Sequence, residues 1–129
     1  MKSQTLNVSI ECHPRKVYEF VSNLDNLPKW ATTFVKEIRK SGDDWIAQTP
    51  QGPATFRMAA HNDFGVLDHT VIPAPGVEVF VPMRVVPNGS GSEVIFTLFR
   101  QPNMTDESFA RDQEMVIRDL NTLKKLLEQ

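Results

Sequence analysis

Apolar residues recur at every second position in "TLNVSIEC", where Leu6, Val8, Ile10 and Cys12 alternate with Asn7, Ser9 and Glu11. That period predicts a strand with one buried and one wet face. The spacing then changes. In "HPRKVYEFVSN", Pro14 stands where a first helical turn tolerates it, and Val17, Phe20 and Val21 fall on one side, which predicts a short helix. "LDNLPKWAT" predicts a second turn or short helix, capped by Asp25, with Leu24, Leu27 and Trp30 pointing back toward the core. From residue 33 to residue 101 the pattern is a meander of strand-like runs: "TFVKEIRKS", "DDWIAQT", "GPATFRMAAHN", "GVLDHTVI", "GVEVFVPMRVV" and "SEVIFTLFRQ". The links "SGDD", "PQGP", "NDFG", "PAPG" and "PNGSGS" supply the Gly, Asn, Asp and Pro that tight reversals need, and such short links favour antiparallel neighbours.

The stretch from Thr105 to Gln129 predicts a long amphipathic helix, roughly 36 Å at the standard helical rise. Thr105 or Asp106 suits its cap, Asp106 and Glu107 its first turn, and Lys124 and Lys125 its last. Phe109, Val116, Leu120, Leu123 and Leu127 form the apolar stripe, which reads as free of polar interruption from Val116 onward. Core packing is the plain role of this helix, and a lid over a ligand is the alternative. A strand, two short helices, six strands and a final helix bury their apolar faces most simply if the sheet curves around that helix. The expected class is therefore α+β, in one domain over residues 1–129. A twisted sheet over a helix diverges at one end, and a concave, mainly apolar cavity is expected there.

Composition narrows the function. With 40% hydrophobic and 23% charged residues the chain is not of the disordered type. Its net charge of −2 and scattered Lys and Arg provide no footprint for a phosphate backbone, so nucleic acid is not an expected partner. The start "MKSQTLNVSIEC" lacks the apolar core of an export signal, and no apolar run is long enough to span a bilayer. A cytoplasmic location without membrane insertion is the expectation. Cys12 stands alone and reads as a small buried hydrophobe. His13, His61 and His69 lack metal-ligand spacing, and there is no phosphate loop, dinucleotide fingerprint or nucleophile elbow. No metal and no cofactor are expected.

The order of elements, with "VSIECHPRKVYEFVSNLDNLPKWA" at one end and "DQEMVIRDLNTLKKLLEQ" at the other, resembles the START-like (helix-grip, SRPBCC) superfamily, especially its polyketide cyclase/dehydrase-like branch. The likeness covers essentially the whole chain, and its most telling piece is "HPRKVYEFVSNLDNLPKW", a Pro-led helix followed by Leu-Pro-x-Trp. The resemblance implies a helix-grip fold: a seven-stranded curved antiparallel sheet wrapped around the C-terminal helix, with a hydrophobic cavity between them. It further implies a greasy ligand such as a lipid, hormone, quinone or polyketide. It implies no single reaction, because relatives include cyclases, dehydratases, hydrolases, carriers and partner-binding modules.

"GVLDHTVI" sets Asp68 and His69 side by side in an apolar strand, so the two face opposite sides. If Leu67 and Val71 point inward, His69 joins them and Asp68 meets solvent or a partner. An inward imidazole can orient a ligand by hydrogen bonding or move a proton; satisfaction by a neighbouring carbonyl or water is the structural alternative. Arg57 and Arg84 are polar or anion-contact candidates, although strand alternation turns both outward. Trp30, Trp45, Phe56, Met58, Val71, Met83 and Phe96 are the apolar ligand-binding candidates, each able instead to fill core volume, while Phe20 and Phe99 read as ordinary packing. Three functions follow. The first is binding of a small hydrophobic molecule, and the second is a cyclase or dehydratase with His69 as acid and base. The third is an interaction module, a homodimer among its forms, docking through Phe80, Pro82 and Ile95 or Phe99 on the sheet exterior.

Overall fold

A computed structural model describes residues 1–129. Strand β1 (Ser3–Ile10) leads into α1 (Pro14–Ser22), a single 3-10 turn (Leu24–Asn26) and α2 (Leu27–Trp30). Strands β2 (Glu37–Ser41), β3 (Asp44–Thr49), β4 (Gly52–Met58), β5 (His69–Ala74), β6 (Val77–Val81), β7 (Met83–Asn88) and β8 (Gly91–Phe99) follow, and α3 (Asp106–Leu127) closes the chain. No helix is long and apolar enough to cross a membrane.

The helices begin where the side chains can cap them. His13 Nδ1 accepts from the Arg15 N–H at 3.1 Å, with Pro14 inside the first turn of α1, and Thr105 Oγ1 accepts from Ser108 N–H at 3.0 Å at the start of α3. Asn23, rather than Asp25, caps the 3-10 turn, accepting the Asp25 N–H at 3.1 Å.

The strands form two antiparallel ladders, β1-β8-β7 and β2-β3-β4-β5-β6. There are eight strands instead of the expected seven, because "GVEVFVPMRVV" is broken at Pro82, which has no N–H to give to a ladder. The break is a corner. β6 leaves it in one sheet and β7 in the other, and the ladders are stitched across it. Leu67 N–H donates to Met83 O at 2.8 Å, Val85 N–H to Gly65 O at 3.0 Å, and Thr97 N–H to Pro82 O at 2.9 Å. The run that holds Asp68 and His69 thus pairs first with β7, through residues 65–67, and then with β4 and β6 as β5. Two expected boundaries also move. β1 stops at Ile10, two residues short of Cys12, and β2 starts only at Glu37, because Phe34 and Val35 N–H groups turn back to Ala31 O at 3.1 and 2.8 Å.

Asp68 secures the corner from the outside. Its carboxylate accepts the Met83 N–H at 2.8 Å, just past the proline, and takes the Arg84 guanidinium through Nε at 3.1 Å and Nη2 at 2.8 Å. The hydrogen bonds from Arg84, then the one from Met83, hold this carboxyl below its ordinary value of 3.8.

Helix α3 packs unevenly. Leu120, Leu123 and Leu127 in its C-terminal half join Ile10, Val17, Val21, Val85 and Val94 in a filled core. Lys124 and Glu128 tie that end to the first strand and its exit, Lys124 Nζ donating to Ser9 O at 2.7 Å and Glu11 N–H to Glu128 Oε2 at 2.8 Å. The stripe is not purely apolar past Val116: Asp119 lies within it, 6% exposed, accepting from Thr33 Oγ1 at 2.7 Å and Thr33 N–H at 3.1 Å. Its burial is tolerated because the turn after α2 delivers those two donors.

Two substitutions test the corner. Gly65 has φ +70°, and a Cβ there would lie 2.2 Å from Val85 O, so Gly65→Ala forces β7 to move and is expected to cost at least about 2 kcal/mol in urea unfolding. Asp68→Ala orphans the Met83 N–H and is expected to cost about 1–3 kcal/mol. Because the folded carboxyl of Asp68 is depressed, its contribution is whole above about 3.8 and fades as pH falls through the lower folded value, so the gap between wild type and Asp68→Ala should close in acid.

Candidate functional site

Beneath the N-terminal half of α3 the sheet and helix separate around a cavity of about 300 Å³. Small side chains create the space: Ala31 after α2 and Ala54 on β4 line it where larger residues would reach the helix. The walls come from alternate positions of the strands, Phe56 on β4, Val71 on β5, Val79 and Val81 on β6, and Phe96 and Leu98 on β8. Trp30 and Phe34 close one side, and Met115 and Val116 of α3 form the roof. Thr49, Gln51, Pro73, Gln101 and Met104, from two hairpins and the loop before α3, make up the rim.

His69 is the polar group on the sheet side. Its ring stacks with Phe56, centroids 6.0 Å apart at 15°, and meets Phe96 edge-on at 6.1 Å. Nδ1 lies 3.0 Å from Leu67 O, and since a carbonyl only accepts, Nδ1 carries the proton and Nε2 the lone pair. Nε2 has no partner in the protein. Burial holds the imidazole below its ordinary 6.5, against the opposing pull of the Leu67 carbonyl and Asp68. The ring is thus a neutral acceptor inside an apolar space.

Two carboxylates face it from the helix. Asp119 is satisfied by Thr33, whereas Asp112, one heptad earlier, makes no hydrogen bond or ion pair within the protein. Both carboxyls are raised above 3.8, in each case chiefly by desolvation. The Trp30 indole N–H is buried without a partner. No three His, Cys, Asp or Glu side chains converge as a metal site would require.

Of the residues singled out from the sequence, the fold brings Trp30, Phe56, His69, Val71 and Phe96 together around the cavity. Met58 and Met83 lie behind it, against a second void of about 10 Å³ shared with Trp30 and His69. Trp45 packs at the edge of the core on β3, outside the lining. Neither arginine reaches the cavity. Arg57 pairs with Asp44 at 2.9 Å and Arg84 with Asp68 at 2.8 Å, both on the outer face where strand alternation sends them. Phe99, read as ordinary packing, lines the cavity, because β8 ends there and the chain turns toward the rim.

Sequence reasoning missed Phe34, Leu98, Asp112, Met115 and Asp119. The signal for the acids was present: Asp112 follows Phe109 by three and Asp119 follows Val116 by three, which sets both on the apolar face of α3.

The depressed imidazole has a stability consequence. The unfolded chain takes up a proton near 6.5 and the folded chain only at lower pH, so stability falls as pH drops from 6.5 toward the folded value. Denaturant midpoints compared at pH 7 and pH 5 should show this slope flattened in His69→Gln.

Comparison with known proteins gives the fold and the family. The solved structure of XoxI from Bacillus cereus superposes with a TM-score of 0.80 at 18% identity, covering 98% of this chain and 96% of that one. The Aha1 dimer from Colwellia psychrerythraea gives 0.76 at 18% identity, covering 99% and 97%. A START superfamily protein from Mycobacterium smegmatis gives 0.74 at 12% identity, covering 98% and 97%. These likenesses establish the helix-grip architecture. No curated protein sequence matches. The sequence profile of the family described as "Polyketide cyclase / dehydrase and lipid transport" matches residues 1–128, and the chain belongs to that family.

Proposed function

We propose that this protein binds a small, mainly apolar molecule between its sheet and the N-terminal half of α3. The observation that carries the reading is the cavity itself: about 300 Å³ of space walled by aromatic and aliphatic side chains, with His69 among them. That volume lies at the lower end of the usual range for small-molecule sites, which runs from about 300 to 1,000 Å³. A guest that hides roughly 300 Å² of apolar surface gains roughly 7 kcal/mol, at about 25 cal/mol per Å². Lost translational and rotational freedom takes back at least about 4 kcal/mol, so burial alone leaves a roughly millimolar affinity, and tighter binding requires a polar contact to the guest as well. The family description, which joins cyclases and dehydrases with lipid transport, supports a greasy occupant.

One observation favours a catalytic role as the second reading. A neutral imidazole with its Nε2 lone pair toward an apolar space is arranged to receive a proton, as cyclisation or dehydration of a conjugated substrate requires. In the binding role the same atom accepts a hydrogen bond from the guest. A third feature concerns assembly. Phe80, 49% exposed on the outward phase of β6, offers an apolar contact for a homodimer, and one structural neighbour is described as a dimer.

The test of binding uses the neutral fluorescent hydrophobe N-phenyl-1-naphthylamine. Wild-type protein should enhance its emission saturably, and Leu98→Trp, which fills the cavity from β8, should weaken binding tenfold or more with an unchanged far-UV circular dichroism spectrum. Equal binding by both would place the dye elsewhere and remove the proposal. Native mass spectrometry of freshly purified protein reads both the occupant and the oligomer. If wild type converts that occupant and His69→Gln does not, the catalytic reading holds; unchanged recovery from both leaves a binder.

A further inference from the structure

The polar groups of the cavity are unequal in kind. Its donors are largely committed: Thr33 Oγ1–H is given to Asp119 at 2.7 Å, Thr49 Oγ1–H to Gly52 O at 2.7 Å, and Gln101 Nε2–H to Phe99 O at 3.2 Å. The Trp30 N–H is buried without a partner. Away from the rim, where the exposed Gln51 amide stands without a partner, the uncommitted groups that remain are acceptors, namely the Asp112 carboxylate and His69 Nε2. Charge tells the same story. No Lys or Arg lines the cavity, two Asp do, and His69 is held neutral by its burial. Arg100, the chain neighbour of the rim residue Gln101, is spent on Asp106 at 3.0 Å and on Met104 O at 2.9 Å. Arg111, the chain neighbour of Asp112, is exposed; its charge favours the ionised carboxyl from a distance, and the two form no ion pair.

An anionic guest would therefore lose its hydration shell and meet two carboxyl groups and a lone pair with no cation in the lining to offset them, a combination that is disfavoured. A guest bearing a cationic donor gains from both features. Its ammonium can pair with Asp112, whose carboxylate is partly desolvated and otherwise unpaired, while its hydrocarbon lies against Phe34, Phe56, Phe96 and Leu98.

We propose that the cavity selects a hydrophobic amine, held through its ammonium group by Asp112, and excludes carboxylates of the same size. The inference rests on the binding role proposed above and specifies its ligand class.

Three probes with one hydrocarbon body and different polar ends decide it: decylamine, decanol and decanoate, each below its micelle concentration, at pH 7 and about 0.15 M salt, where surface charge attraction is screened beyond about 8 Å. Affinities are read by displacement of N-phenyl-1-naphthylamine and by calorimetry. The expected order is decylamine, then decanol, then decanoate, with at least tenfold between the first and the last. Asp112→Asn should weaken decylamine about tenfold and change decanol less than threefold. Asp112 is only half-buried and bonds to nothing in the protein, so the variant folds, and its thermal midpoint confirms that. Decanoate binding as tightly as decylamine, or an Asp112→Asn variant that keeps the full decylamine affinity, overturns the amine assignment and leaves the binding role standing. If the dye binds nowhere and none of the three probes is taken up, both fall.

Discussion

Helix α3 can be sealed against the curved sheet along only part of its length, and the site follows from that constraint. A twisted antiparallel layer diverges from a straight helix. The C-terminal half of α3, with Leu120, Leu123 and Leu127, sits where the layer is close and the core is filled. The stretch from Asp112 to Asp119, with Met115 and Val116, sits where it has drawn away, over the alanines at 31 and 54. One helix thus serves as core at one end and as cavity roof at the other, and the change of role coincides with the change in its stripe from leucine to aspartate.

Divergence requires a layer that bends, and the bend is built at Pro82. The proline ends β6, Asp68 collects the Met83 N–H that opens β7, and Gly65 lets the neighbouring backbone approach Val85. The two ionisable residues set side by side in "GVLDHTVI" divide the work between the faces of the sheet. Asp68 faces outward and holds the corner with Arg84; His69 faces inward and supplies the cavity with a neutral acceptor. Their roles differ because strand alternation gives them different solvents. Asp68 keeps its charge beside a guanidinium, whereas His69 is desolvated and stays neutral.

Much of the site was legible from periodicity. Trp30, Phe56, His69, Val71 and Phe96 lie on inward positions that a period of two or a helical face reveals, and all five reach the cavity. Trp45, Met58 and Met83 share that inward phase without lining it, because phase states which side of the sheet a residue faces and says nothing of how far along the groove it lies. Arg57 and Arg84 were legible as outward-facing, and their partners Asp44 and Asp68 were not, since each pair forms across strands.

The sequence by itself determined the order of the elements, save the break at Pro82, the inward and outward faces of the strands and an α+β sheet curved around the last helix, because these depend on local periodicity, turn chemistry and the need to bury one face of each element; the helix-grip class came from the family resemblance. Tertiary structure alone decided where the sheet and helix part, that Asp119 would be satisfied by Thr33 while Asp112 would not, and which nitrogen of His69 would keep its lone pair. The first two outcomes turn on distances between residues tens of positions apart, and the third on how the folded backbone aims the Leu67 carbonyl at the ring. Side-chain spacing along a chain carries no information about such distances until the layer has curved and the helix has been seated against it.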